Sequence, residues 1–139
     1  MKALTTITKT KMKKMAMAMA MVSFASPVWG DPLEGLWQTA KDDNGKFGHI
    51  QVAPCGAALC GTLVRSFDAN GAEIASANTG RQIISETVAE GGGAYKGKVW
   101  SPDRDKTYNS RLQLSGDTLA VSGCVLSICR DGGTWVRVQ

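Results

Sequence analysis

The chain predicts an all-β domain, a small antiparallel up-and-down barrel of about eight strands. Three observations point there. Glycine is abundant, at 16 of 139 residues, and proline is scarce, at 4. No apolar pattern of helical period runs beyond two turns. Short alternating runs stand between turn signals instead, with connections mostly of three to six residues.

The first 30 residues read differently from the rest. They carry five lysines (Lys2, Lys9, Lys11, Lys13 and Lys14) and no acid. Met15 to Ala25 is an apolar run of 11 residues, Pro27 breaks any helix, and Val28-Trp29-Gly30 places a small aliphatic residue and a glycine at the −3 and −1 positions. This is the three-part pattern of a secretory signal peptide, residues 1–30, with cleavage expected between Gly30 and Asp31 and a second candidate point after Ala25. As a helix the run would span about 16 Å, roughly half a bilayer core, so a membrane-spanning anchor is not expected. No cysteine lies near the cleavage point and the leader has no Arg-Arg pair, which argues against a lipid anchor and against export in folded form. The expected destination is the periplasm or the medium. Without the five lysines, 11 basic residues face 12 acids, so residues 31–139 carry a net −1. A nucleic-acid binder needs a basic face of its own, and this domain lacks the charge for one. The remaining 109 residues make one small barrel domain, too short for a Rossmann, TIM-barrel or kinase scaffold.

The strands follow in order. Asp31-Pro32-Leu33-Glu34 is a short capped turn leading into a first strand, Gly35–Ala40. Asp42-Asp43-Asn44-Gly45 turns the chain into Lys46–Ala53, which Pro54 is expected to end. Leu59–Phe67 is the third strand, closed by Asp68-Ala69-Asn70-Gly71. Residues 72–81 read as a loop, and Gln82–Val88 as a strand or one turn of helix. After the flexible Glu90-Gly91-Gly92-Gly93 comes Ala94–Trp100, then the turn Ser101-Pro102-Asp103-Arg104-Asp105-Lys106. Thr107–Leu114 alternates cleanly, with Tyr108, Ser110, Leu112 and Leu114 on one face. Ser115-Gly116-Asp117 turns into a strand whose one face is Leu119, Val121, Gly123 and Val125. Asp131-Gly132-Gly133 is expected to turn again before Thr134–Val138 closes the sheet.

Cysteine usage agrees with export. The four cysteines form two identical spacings, Cys55 to Cys60 and Cys124 to Cys129. The preferred pairing is local, because four intervening residues make a hairpin that sets the two sulfurs within reach. A crossed pairing stays open: a loop of about 75 residues would stabilise by about 4.5 kcal/mol against about 2 kcal/mol for a short one. Zinc would need thiolates that an oxidising compartment removes, and the spacing is not that of a redox dithiol. No metal and no other cofactor is expected.

Gly35-Leu36-Trp37 on the first strand resembles the opening motif of lipocalins and their calycin relatives. That resemblance implies a barrel plugged at one end by Trp37, with Arg137 of the last strand packed over it as a cation–π pair. The central Thr-Asp-Tyr pattern of lipocalins is absent, so the likeness is to calycin architecture. A fuller match covers nearly all of residues 31–139. Gly35-Leu36-Trp37, Pro54-Cys55-Gly56, Cys60-Gly61, Gly97 to Pro102, Lys106-Thr107-Tyr108, Gly123-Cys124, Cys129 and Thr134 to Arg137, in that order, resemble the exported bacterial domain-of-unknown-function family 2147. The resemblance implies a small calycin-like barrel in the cell envelope and no assigned activity.

Candidate chemistry is sparse. His49 is the only histidine and sits mid-strand; with the thiols oxidised it has no nucleophile to activate. The acids lie almost wholly in turns, and Glu86, the one acid well inside an apolar run, has no second carboxylate to pair with at glycosidase spacing. Asp103-Arg104-Asp105-Lys106 lacks the ligand count of a calcium loop. No catalytic residue is assigned, and the protein is read as a non-enzymatic small-molecule binder for an apolar or amphipathic ligand. The strand aromatics either fill the barrel or line a small-ligand site; on the second reading Trp100, Tyr108, Leu112 and Trp135 are the candidate ligand-contacting residues, with Gly35, Trp37 and Arg137 as a structural plug. The alternative is a protein-interaction module, an inhibitor or envelope-assembly factor, working through loops or a strand edge on another envelope protein.

Overall fold

The alternation of the sequence becomes nine strands, with no helix among the described residues. The computed structural model describes residues 30–139. The expected leader, apart from Gly30, lies outside them. The strands are β1 (Gly35–Gln38), β2 (Phe47–Cys55), β3 (Ala58–Phe67), β4 (Glu73–Ile74), β5 (Gln82–Gly91), β6 (Ala94–Ser101), β7 (Lys106–Ser115), β8 (Thr118–Val125) and β9 (Ile128–Arg137).

All pairings are antiparallel. The order is β2-β1-β9-β8-β7-β6-β5-β3-β4, and β2 also pairs with β3. That pairing closes eight strands into an up-and-down barrel; β4 is an appendage on the end of β3, where Ser66 faces Ile74 and Phe67 faces Glu73. The seam between β1 and β9 is short. It consists of Trp37 opposite Arg137 and Gln38 opposite Val136. Backbone bonds from Leu36 N–H to Gln139 O (2.8 Å) and from Val138 N–H to Leu36 O (2.7 Å) extend it. Beyond Val136, towards its start, β9 pairs with β8 alone.

Two ends follow from this topology. One carries residues 31–34, the chain terminus and the β2–β3, β5–β6 and β7–β8 turns. The other carries residues 39–46, 68–81 and 102–105 and the β8–β9 turn. The core lies nearer the first. Trp37, Ile50, Ile84 and Leu119 are buried from the strands, and Leu33 is buried from the segment before β1.

Four sequence expectations change. The stretch 72–81, read as a loop, holds the two-residue strand β4 at Glu73–Ile74. Pro54 does not end the second strand. It pairs with Leu59 inside β2, past the last β1–β2 pair (Gly35–Val52), where β2 has no neighbour on that edge and a missing N–H is tolerated. Asp131-Gly132-Gly133 is not a turn but an irregularity inside β9. The register shifts between Ala120 and Ser122, and Asp131 Oδ1 accepts the Gly133 N–H at 2.8 Å. Gln82–Val88 is wholly strand, and β5 runs on to Gly91 with a bulge at Glu86 (φ 49). The bulge turns Thr87 into the barrel, where a Cβ on Gly97 would stand 2.8 Å from Thr87 Oγ1. Only glycine leaves room there.

The disulfides are local. Cys55 joins Cys60 (Cα–Cα 5.8 Å) and Cys124 joins Cys129 (Cα–Cα 4.0 Å), each closing one hairpin. Such bridges persist in oxidising compartments.

Candidate functional site

One end of the barrel is sealed by the segment that precedes β1. Asp31 Oδ1 accepts the Leu33 N–H at 2.8 Å, which curls the chain so that Leu33 enters the core. Trp37 projects inward from β1 and donates its indole N–H to Leu33 O at 2.9 Å. Arg137 lies over the Trp37 ring, its guanidinium carbon 4.3 Å from the centroid. The same guanidinium donates to Glu34 O at 2.9 Å and to Pro32 O at 2.5 Å, so one side chain ties the last strand to the entering segment. Gly35 belongs to this arrangement: at φ 133, a Cβ would meet Gln139 O at 2.5 Å and the Arg137 guanidinium at 2.9 Å. Tyr95 closes the same end from β6, donating its hydroxyl to Asp31 Oδ1 at 2.5 Å. Burial, with the bond to Asp31 second, pushes the Tyr95 hydroxyl far above the usual tyrosine range, so it stays a donor.

The other half of the barrel differs. Side-chain alternation sends Tyr108, Ser110, Leu112 and Leu114 of β7 to one face, and Ser110 and Leu112 are buried. On β6 the same face is Tyr95, Gly97 and Val99; on β8 it is Leu119, Val121 and Gly123. Nearer the open end, Val99, Tyr108 and Gly123 point inward yet are only half-buried. A Cβ on Gly123 would sit 3.6 Å from both Tyr108 and Val99, an ordinary contact, so the space beside it admits a methyl group.

Ser110 lies beneath this trio. It pairs with Gly97 on one side and Gly123 on the other, so neither neighbour offers it a side-chain partner. It is 2% exposed, and its Oγ finds no hydrogen-bond partner among the described residues. A buried hydroxyl without a partner costs about 1–3 kcal/mol, which a polar group entering from the mouth would recover. Thr87 Oγ1, by contrast, is satisfied by Ser85 O at 3.1 Å.

The aromatic residues singled out in the sequence separate. Tyr108 and Leu112 point inward from β7, Tyr108 at the mouth and Leu112 in the core. Trp135 is inward and 4% exposed, opposite Leu119 in the sealed half. Trp100 lies on the outer wall, on the face of Lys96 and Lys98. The Arg81 guanidinium covers its ring at 3.6 Å, and its indole N–H donates to Asp105 Oδ1 at 3.0 Å. That cover, supplied by the β5 approach and the β6–β7 turn, buries the ring without bringing it to the interior. Val99, Ser110 and Gly123 were not chosen from the sequence. The sign was present, because a serine and a glycine interrupt the apolar faces of two neighbouring strands.

His49 points outward from β2. It packs against Phe67 (centroids 4.5 Å), itself stacked on Phe47 at 5.0 Å, and its Nε2 lies 3.4 Å from Gln38 Oε1. Burial and then the Arg65 charge lower its pKa, so the ring is held neutral. Two shallow hollows occur on the outside. One, of about 200 Å³, crosses β6, β7 and β8 beside Arg111 and Gln113. The other, of about 310 Å³, lies by Asp31, Pro54 and Val88 at the sealed end. Among the described residues no group of three or more His, Cys, Asp or Glu side chains could hold a metal, and no helix is long and apolar enough to cross a membrane.

Residues 35–137 match the family model described as "Uncharacterized protein conserved in bacteria (DUF2147)". No curated protein matches the chain. A solved structure that does match is protein HP1028 of the human pathogen Helicobacter pylori, described as belonging to the lipocalin family. The two share 17% identity with a TM-score of 0.60, over 79% of this chain and 85% of that one. At that identity the likeness shows the barrel fold.

Proposed function

The chain belongs to the DUF2147 family, and from that premise we propose that it is an exported, non-enzymatic binder of a small apolar or amphipathic molecule. The ligand enters the open end of the barrel. Its apolar part lies against Val99 and Tyr108 and beside Gly123, and a polar group at its leading end meets Ser110 Oγ. One observation carries the reading: inward-facing residues half-open to solvent stand above a fully buried hydroxyl that has no partner. Apolar sites with one convergent polar group are the usual form of small-molecule pockets, and an eight-stranded barrel has room for one small ligand. The sealed end supports the same direction of entry. The two disulfides support a periplasmic or secreted setting.

The test is a titration with medium-chain fatty acids and the matching alcohols, followed by intrinsic tryptophan fluorescence and by native mass spectrometry. Saturable one-to-one binding is expected. Gly123→Leu should abolish it by filling the mouth, and Ser110→Ala should weaken it by about tenfold while leaving the apolar contacts in place. Saturable binding that both variants retain would place the ligand elsewhere. No binding by any of these probes would remove the reading.

A further inference from the structure

Large apolar side chains are bare at one place on this barrel, the tip of the β8–β9 hairpin. Val125 is 59% exposed, Leu126 90% and Ile128 72%. Val64, Val88, Val136 and Val138 are only 39% to 44% exposed and are spread over the wall and the chain end. The tip belongs to the open end and stands free on one side, because β9 meets β1 only at Val136 and Arg137. The Cys124–Cys129 bridge ties its two strands directly opposite each other at its base.

A turn that merely faced water would not be built this way. Leu126 holds φ 57, a left-handed conformation in which Asn or Gly costs less than leucine. The chain uses the less costly solution in its other cystine hairpin, where Gly56 takes φ 67 next to Ala57. The same covalent device therefore presents small residues at the sealed end and bare aliphatics at the mouth. An unfavourable backbone conformation kept together with exposed aliphatic side chains marks a surface made for contact.

The size and chemistry of the tip decide what it contacts. Three side chains on a convex turn cover far less than the roughly 800 Å² per partner of a stable protein interface. They include none of the Trp, Tyr or Arg anchors that dominate such interfaces. A bilayer needs no matching pocket and favours apolar burial alone. The flanks carry a small excess of cations. Arg130 on β9 is exposed, and so is Lys106 of β7, which continues past the Asn109–Cys124 pair to the level of the tip. Neither takes part in an ion pair among the described residues. Around the tip Arg81, Arg104, Lys106 and Arg130 stand with Asp103, Asp105 and Asp131, four bases to three acids; Asp131 accepts the Gly133 N–H, and Asp105 pairs with Arg81 and accepts the Trp100 N–H. We propose that the open rim docks on an anionic lipid surface. Val125, Leu126 and Ile128 enter the headgroup–acyl boundary, and Arg130 and Lys106 lie against lipid phosphates. Docking of this kind is independent of whether the barrel holds a ligand.

Residues 31–139 hold all nine strands, both bridges and the core, and serve for the test. They are mixed with sucrose-loaded vesicles of phosphatidylglycerol and phosphatidylethanolamine, or of phosphatidylcholine alone, and the bound fraction is read by sedimentation. Binding to the anionic vesicles is expected, with acyl-chain-brominated lipid quenching the added fluorescence of a Leu126→Trp variant. The double substitution Leu126→Asn and Ile128→Ser, in which asparagine suits the turn, should weaken binding about tenfold or more with an unchanged melting temperature. Absence of wild-type binding to anionic vesicles, or equal binding by the double variant, overturns the proposal. So does a dimer in sedimentation velocity that the double variant abolishes while vesicles stay unbound, since the tip would then serve a second copy of the chain.

Discussion

Replacing Arg137 with alanine tests the seal of the barrel and the seam of the sheet together. Arg137 donates to two backbone carbonyls, Glu34 O at 2.9 Å and Pro32 O at 2.5 Å, and covers Trp37 at 4.3 Å. Hydrogen bonds from a charged donor contribute about 1.5–3 kcal/mol each, and the lower figure applies here because solvent can rehydrate both carbonyls. The contact over a buried indole adds about 1 kcal/mol. The ion pair with Asp117, at 3.2 Å, adds well under 1 kcal/mol, since the Asp117 side chain is 84% exposed. The loss comes to about 4 kcal/mol. For a domain of this size that is a fall of about 15–20 °C in melting temperature, or a urea midpoint lower by about 2 M. Arg137→Lys keeps the charge but not the fork, so it should lose about half as much. Circular dichroism melts and urea titrations read both. A fall below about 5 °C for the alanine variant would show that the entering segment is held by Leu33 and Trp37 alone, and the argument for the arginine clamp would fail.

Gly61→Ala should destabilise by about 1–3 kcal/mol, because its Cβ would stand 2.6 Å from Ile84 and 2.8 Å from Ile50 inside the core; an unchanged urea midpoint would mean that the core is looser than described. His49 is held neutral when folded, with a pKa below its ordinary 6.5, so the unfolded chain takes up the proton first as pH falls. Stability should therefore drop as pH falls through 6.5 and level off below the folded pKa, and His49→Gln should remove that part of the slope in urea midpoints measured across the range. Equal slopes in the two proteins would contradict the burial of the ring. Replacing Cys124 and Cys129 together with serine should cost about 2 kcal/mol of stability while the far-ultraviolet spectrum stays that of the barrel; collapse of the spectrum would mean that the bridge, not the strand pairing, holds the hairpin.

The architecture was legible because the signals for a meander are local. Alternation over Thr107–Leu114, the Asx turns at Asp42 and Asp68, and the glycines between strands depend only on a few neighbouring residues. Gly35, Trp37 and Arg137 were marked only through the resemblance to calycin barrels, and the β1–β9 seam brings Trp37 and Arg137, 100 residues apart in sequence, together. What stayed hidden was set by contacts across strands. Pro54 reads as a stop until β1 is seen to begin at Gly35, opposite Val52, and leave that edge of β2 without a neighbour. Trp100 reads as an interior aromatic until Arg81 is found covering it from outside.

Two turns with the same cysteine spacing show the division most clearly. Local sequence sets where each hairpin bends and what its tip presents. Which tip lies at the sealed end and which at the mouth depends on the direction each strand takes around the closed sheet. The buried hydroxyl of Ser110 has the same origin. Alternation points it inward, but only the register that sets it between Gly97 and Gly123 leaves it without a partner, because a hydrogen bond is decided by which groups meet and not by which residues are present.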